Sequence, residues 1–292
     1  MRNAELALPS RHLGLVQAGE HPQLEMFIER AANWVSAGVD VDELVARAGR
    51  AAFASQGGVH AALSSAIVSS PQPVQRAPLH ALGQRIAVAR DAAFGFRYAL
   101  TIDGWREQGA EISFFAPLAD EAPPPDADAV YLPGGYPELH AGHLSAAKNF
   151  IAGMREAAAR GVQIYGECGG FMVLGDSLQD GDGIEHAMCG LLPVSTSFAE
   201  PQMTLGYREV ELVTDTALGL RGQRFRGHEF HFARIAKVDD CTQGLFNARS
   251  ANGDELGRAG LSRGRVFGSF IHLVDRVDCA AIAAQQRVVD TI

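Results

Sequence analysis

Between Val162 and Gly175 the chain reads VQIYGECGGFMVLG, with one cysteine set among glycines at its centre, Gly166-Glu167-Cys168-Gly169-Gly170. This is the G-x-nucleophile-x-G spacing of a nucleophile elbow, the equipment of acyl transfer. Glycines there let a sharp strand-to-helix turn hold the nucleophile in a strained backbone. They also let strand and helix approach closely. The helix that follows points its first N–H groups at the sulfur, which favours a thiolate and a developing oxyanion. The plainer alternative is a structural cysteine in a glycine-rich turn, because free cysteines are often buried.

A cysteine nucleophile needs a base. Of the ten histidines, His272 closes the apolar run Phe267–Leu273, FGSFIHL, and is expected at a strand end where it can meet the elbow. An ordinary strand-end histidine is the alternative. Pro133-Gly134-Gly135-Tyr136-Pro137 is a second glycine turn. Backbone N–H groups of Gly134 and Gly135, with that of Gly169, would suit an oxyanion or substrate carbonyl. A plain β-turn reads the same way. In Gly227–Phe232, GHEFHF, strand alternation puts His228 and Phe230 on one face and Glu229 and His231 on the other. Histidines on opposite faces make a poor metal pair. His228, Glu229 and His231 are therefore expected at a substrate or interdomain contact, and no metal site is expected. No G-x-x-x-x-G-K-[ST] phosphate loop occurs, so a self-contained ATP site is not supported.

These residues need elements to position them. Arg85–Ala89 and Val162–Tyr165 read as short buried strands, and Glu111–Phe115 and Ala129–Leu132 as strands between them. Helical spacing over Tyr98–Gln108 and Ala146–Arg160 alternates with them. This predicts an α/β fold with a doubly wound, mainly parallel sheet. Ligands in such sheets sit at the carboxyl ends of strands, so the loop after Ala89, the Gly134-Gly135 turn and the Cys168 elbow should converge. Beyond Cys189 the texture is β-rich, over Thr204–Thr214, Gly222–Ala236 and Val266–Leu273, with a hairpin turn at Asn252-Gly253. A terminal helix is expected over Ala280–Val289.

At the other end, His12–Val16 reads as a strand, and Leu24, Phe27, Ile28, Ala31, Ala32 and Val35 as one face of a helix. Asp40 caps a second helix. One strand and two helices cannot close a core alone. Residues 49–83 are rich in Ala, Ser, Gly, Gln and Pro and read as a linker. The division is therefore 1–48, a partial unit; 49–83, a linker; and 84–292, the main domain.

Bulk properties narrow the function. A net charge of −9 argues against nucleic acid or an anionic membrane as partner. The four cysteines, Cys168, Cys189, Cys241 and Cys279, form no C-x-x-C pair. A reducing cytosol fits them best. No apolar run approaches the ~20 residues that span a bilayer, and no signal pattern opens the chain.

The motifs YLPGGYPELHA (131–141), YGECGGFMVLG (165–175), MTLGYREVEL (203–212), RGHEFHFARI (226–235) and GSFIHL (268–273) follow one another in a family order. Together they resemble the class I glutamine amidotransferase domain of cobyrinate or hydrogenobyrinate a,c-diamide synthases of cobalamin biosynthesis. RIAVARDAAFGFRY (85–98) resembles the opening of that domain, and PSRHLGLVQA (9–18) the tail of the family's ATP-dependent synthetase domain. The resemblance implies that Cys168 forms a γ-glutamyl thioester with glutamine and that His272 activates it and protonates the departing ammonia. It also implies that Gly135 and Gly169 supply oxyanion N–H groups. The ammonia would amidate the a- and c-acetate carboxylates of a corrinoid on a synthetase domain or chain. ATP and Mg²⁺ are expected on that missing domain of roughly 200 residues, and no cofactor on this chain. Other triad amidotransferases carry an acid two positions after the histidine, where this chain has Val274. Asp275 should turn away, which leaves a Cys–His dyad. The RHLGLVQ and ARDAAFGF stretches look closer to the cobalt-free branch. Two other readings stay open: a cysteine hydrolase acting on another amide, and an inactive remnant or subunit. A homodimer is open as well.

Overall fold

The structure, a computed structural model, describes residues 6–7, 21–54 (backbone only over 48–54), 78–239 and 242–277. The chain divides into two compact units, Met1–Gln75 and Arg76–Ile292. The first contains the helices Leu24–Gly38 and Val41–Ala54. Asp40 caps the second, accepting a hydrogen bond from Glu43 N at 2.9 Å, as its position requires. No residue of the first helix is buried among the described residues. The strand expected over 12–16 and the helix expected over 280–289 lie outside the described residues.

Among its described residues the second unit has fourteen strands. In chain order they are β1 (Arg85–Ala89), β2 (Glu111–Phe115), β3 (Ala129–Leu132), β4 (Gln163–Glu167), β5 (Ser177–Gln179), β6 (Glu185–Ala187), β7 (Val194–Ser197), β8 (Thr204–Leu212), β9 (Arg224–His231), β10 (Arg234–Val238), β11 (Gln243–Ser250), β12 (Glu255–Arg263), β13 (Val266–Ser269) and β14 (Ile271–Val277). Ten form one sheet in the order β14-β9-β8-β11-β12-β13-β4-β3-β1-β2, and four form a small sheet, β10-β7-β5-β6.

The half from β13 to β2 is parallel, with helices Ala99–Glu107 and Lys148–Ala159 in its crossovers. Strands β1, β3 and β4 are buried almost end to end, as strands covered on both faces must be. One face packs Phe150, Met154, Phe171 and Val173; the other packs Ile102, Trp105, Tyr131, Tyr165 and Phe246. Each such side chain contributes roughly 1.5–3 kcal/mol on burial. The β-rich part continues the same sheet by antiparallel pairing. The hairpin falls where expected, between β11 and β12, with Gly253 at φ 91°.

Three expectations change. The linker is shorter than 49–83: residues 49–54 are helical, and Leu79 and Leu82 are buried beside Ile86, Ile102 and Trp105. The helix expected from Ala146 begins at Lys148, after a break at Ala147 that ends the short helix Ala141–Ala146. The run Val266–Leu273 is two strands, because the chain leaves β4 at Phe270 and turns to pair with β9. His272 therefore stands second in β14 and not at a strand end.

The elbow glycines are required by contact. A Cβ on Gly170 would lie 1.9 Å from the Leu132 carbonyl oxygen, and one on Gly166 2.8 Å from Gly170 C. Gly170→Ala should therefore cost more than about 2 kcal/mol in urea denaturation. Gly181→Ala, where nothing lies within 4 Å, should stay within about 0.5 kcal/mol of wild type. Equal stabilities for the two variants would contradict this account of the elbow.

Candidate active site

Strands β1, β3 and β4 are neighbours, so the loops from their carboxyl ends meet. Phe96 N, in the first loop, donates to Gly134 O in the second at 2.9 Å. A Cβ on Gly134 would lie 2.5 Å from His272 Cε1 and 3.5 Å from Cys168 Cβ. Only a glycine lets the histidine ring and the elbow close on that turn.

Cys168 sits at φ 48°, ψ −106°. A positive φ in a residue with a side chain stores strain of order 1–3 kcal/mol. The surroundings hold it there. Cys168 N donates to Ser269 O at 2.8 Å, Met172 N to Cys168 O at 3.2 Å, and Gly170 N to Pro133 O at 3.0 Å. The strand expected over Val162–Tyr165 runs on to Glu167, and the helix opens at Gly169. The Cys168 Sγ lies 3.7 Å from the Phe230 carbonyl oxygen.

His272 is brought to the thiol from β14. Its ring stacks on His228 (centroids 4.9 Å, 12°) and meets the edge of Phe96 at 4.8 Å. Its Nδ1 lies 3.6 Å from Glu167 Oε2, which leaves Nε2 to the sulfur. Burial alone would pull the His272 pKa down. Hydrogen bonding and charge from Cys168 and Glu167 outweigh it and push the ring up to about 10. His272 is thus an imidazolium at neutral pH, a partner for a thiolate and a ready proton donor.

Glu167 is only 3% exposed. Its Oε2 accepts from Tyr131 OH at 2.7 Å; its Oε1 accepts from Tyr165 OH at 2.7 Å and from Leu273 N at 3.1 Å. Burial alone would raise its pKa, but His272 and the two tyrosine hydroxyls hold it below the ordinary glutamate value. Burial, then Glu167 itself, pushes both tyrosines well above theirs, which keeps them protonated donors. Sequence reasoning passed over Glu167 and looked for an acid after His272. The available signal was a charged residue ending an apolar strand, one alternation from Tyr165.

The other expected residues divide. Gly135 and Gly169 come together, a Cβ on Gly169 falling 3.1 Å from Gly135 N. The two glycines are thus neighbours where the turn faces the elbow. Gly134 instead spaces Cys168 and His272. His228 joins the site through its stack and a hydrogen bond to the Tyr98 hydroxyl. Burial, then the charge on His272, lowers its pKa. Glu229 and His231 turn elsewhere, as alternation requires. Glu229 is held by Arg208 Nε at 2.8 Å and His231 Nε2 at 3.1 Å, while His231 Nδ1 donates to Ala233 O at 2.8 Å. They brace β9 internally, so the contact role expected for them gains no support. Asp275 is held away by Arg226 through two bonds of 3.0 and 2.8 Å. Among the described residues no group of three or more His, Cys, Asp or Glu could hold a metal. No helix among them is long and apolar enough to cross a membrane.

A strained cysteine facing a buried imidazolium suits cysteine-dependent acyl transfer. The chain belongs to the CobB/CobQ-like glutamine amidotransferase domain family, whose model matches residues 85–276. Among curated proteins it is similar to the hydrogenobyrinate a,c-diamide synthase of Brucella anthropi, 50% identical over 274 residues, 94% of this chain and 58% of that protein. It is equally similar to the synthase of the same name from Rhizobium meliloti, 50% identical over 278 residues with the same shares. The chain thus spans 58% of the length of these relatives. Among solved structures, PurLQS from Thermotoga maritima aligns at a TM-score of 0.46 and 21% identity, over 64% of this chain and 86% of that one.

The charge state of His272 is directly measurable. With a value of about 10, its ring should keep imidazolium NMR shifts from pH 6 to about pH 9 and lose its proton only above that. A solvated histidine titrates near 6.5. A midpoint there for His272 would remove the ion pair described above.

Proposed function

We propose that this chain is the glutaminase half of an ATP-dependent amidation of the a- and c-acetate carboxylates of a corrinoid, hydrogenobyrinate in preference to cobyrinate. The observation that carries the glutaminase reading is the strained Cys168 set against the His272 imidazolium. The named activity of the 50%-identical relatives supports the corrinoid acceptor. Cys168 Sγ attacks Cδ of the glutamine side-chain amide, and the oxyanion takes hydrogen bonds from Gly135 N and Gly169 N. His272 gives its proton to the departing nitrogen, so ammonia leaves and a γ-glutamyl thioester remains. Water then attacks the thioester. His272 takes the water's proton, and glutamate is released with the thiolate restored.

Ammonia would pass to a synthetase domain or chain, where ATP and Mg²⁺ activate the acceptor carboxylates. His228, stacked beside His272, would line the substrate mouth. A reducing cytosol is the compartment that suits Cys168 and Cys189, both unpaired and buried.

The test is ammonia release from glutamine by the full chain, alone and with an ATP-using synthetase partner added. Cys168→Ala and His272→Asn should each lower turnover at least about 10³-fold. The thioester should be trapped on wild type and His272→Asn but never on Cys168→Ala. Continued glutamine hydrolysis by Cys168→Ala would overturn the reading.

A further inference from the structure

Glu167 is a buried carboxylate in the position immediately before the nucleophile, and the chemistry just described gives it no task. Burying a charge is costly unless it is paired and hydrogen-bonded. Three strands satisfy this one: β3 through Tyr131, β4 through Tyr165 and β14 through Leu273 N. The fourth approach is the His272 ring, whose buried Nδ1 lies 3.6 Å from Oε2, just beyond ordinary hydrogen-bond length, with no closer partner among the described residues. The acid that follows His272 in sequence, Asp275, is held by Arg226.

The other titratable groups facing this cluster are few. They are Cys168 at the far side of His272, His228 stacked on it, and Tyr98 behind His228. Arg97 reaches Tyr131 only through its field. Among the described residues Glu167 is the one carboxylate paired with His272.

We propose that Glu167 is the positioning residue for His272. Clamped by two tyrosine hydroxyls and the Leu273 N–H, it fixes the imidazole through Nδ1 and balances its charge. The third member of the catalytic set is then supplied from the residue before the nucleophile. At 3.6 Å the contact is an ion pair that a small ring movement turns into a hydrogen bond, as catalytic contacts tighten when substrate binds. The clamp matters because a carboxylate held by three donors cannot swing to follow the ring. The ring must settle to the carboxylate, and so Nε2 is aimed at Sγ. The upward displacement of the His272 pKa and the downward one of Glu167 agree with this pairing.

The inference deepens the glutaminase reading, and its test is kept separate from it. Glu167→Gln keeps shape and removes charge. Two readouts need no glutamine: the His272 titration by NMR, and the pH profile of Cys168 alkylation by iodoacetamide. The His272 midpoint should fall by at least about one pH unit, the least expected for losing an adjacent opposite charge. Alkylation near neutral pH should slow about tenfold, as the ion pair it relies on weakens. If glutamine is the substrate, kcat should fall on the order of 10²–10⁴-fold with KM little changed, and Glu167→Asp should recover part of the loss. A Glu167→Gln protein with an unshifted titration and an unshifted alkylation profile overturns the proposal even if turnover is reduced. Should Glu167→Gln not fold, wild type decides. The His272 Nδ1–H, assigned by its loss in His272→Asn, should give a solvent-protected, low-field proton resonance at pH 7, and rapid exchange with water overturns the proposal. A chain inert toward glutamine but showing these shifts would sink the glutaminase reading and leave the positioning role standing.

Discussion

The parallel pairing of β13 with β4 is the constraint on which the site depends. Its register sets Ser269 opposite Glu167, and the next backbone bond, Cys168 N to Ser269 O at 2.8 Å, fixes the elbow itself. A strand from late in the chain is thereby laid against the nucleophile strand in the middle of the sheet. Because β13 ends there and the chain turns at Phe270, β14 passes over the elbow. His272 arrives above Cys168, while Leu273 N arrives above Glu167. One register thus sets the base and the carboxylate together. A slip of one residue would reverse every side chain on the strand.

The same pairing explains the electrostatics. A carboxylate, an imidazolium and a thiol are stacked in a region almost without solvent, where charge interactions are several-fold stronger than in water. Such a stack is stable only when each charge has partners. Tyr131 and Tyr165 supply them, and their rings stack in the core at 5.6 Å. The hydroxyls are thus held by apolar packing: the polar clamp and the hydrophobic core are built from the same two side chains. Changing either tyrosine alters packing and charge together.

What could be read from the sequence follows from how local each feature is. The Cys168 elbow was legible because its requirements lie within five consecutive residues, all of them steric. The strands β1, β3 and β4 were legible because burial on both faces writes a continuous apolar run. The break at Phe270 was not, since FGSFIHL is apolar across it and only the choice of partner strand divides it. Leu79 and Leu82 were lost in the linker because two leucines in a Pro- and Ala-rich stretch carry no period. Glu167 was in plain view but its neighbours were not. Tyr131, Leu273 and His272 reach it only once the strand order is known. His231 was equally visible, yet the Arg208–Glu229 pair that occupies it depends on the β8–β9 register. Residue type announced chemistry at both positions, and only topology decided which of them met His272.

Cys168 and Cys189 make the same point in one residue type. Both are unpaired and buried. Cys189 backs onto the core, its N–H bonded to Val173 O at 3.0 Å, and burial pushes its thiol up to about 12 despite the nearby Arg155. It stays a neutral thiol at any pH the cell reaches, a small apolar side chain in all but name. Cys168 is nearly as buried, at 7% exposure, but an imidazolium stands across from it and its backbone is forced into a conformation that thrusts the sulfur out of the turn. The difference lies in charge and geometry, not in depth. Guanidinium charge reaching Cys189 from Arg155 is not enough to ionise a thiol that apolar side chains surround. At Cys168 a cation stands between the sulfur and a fixed carboxylate, and among the described residues that arrangement is found at the carboxyl end of β4.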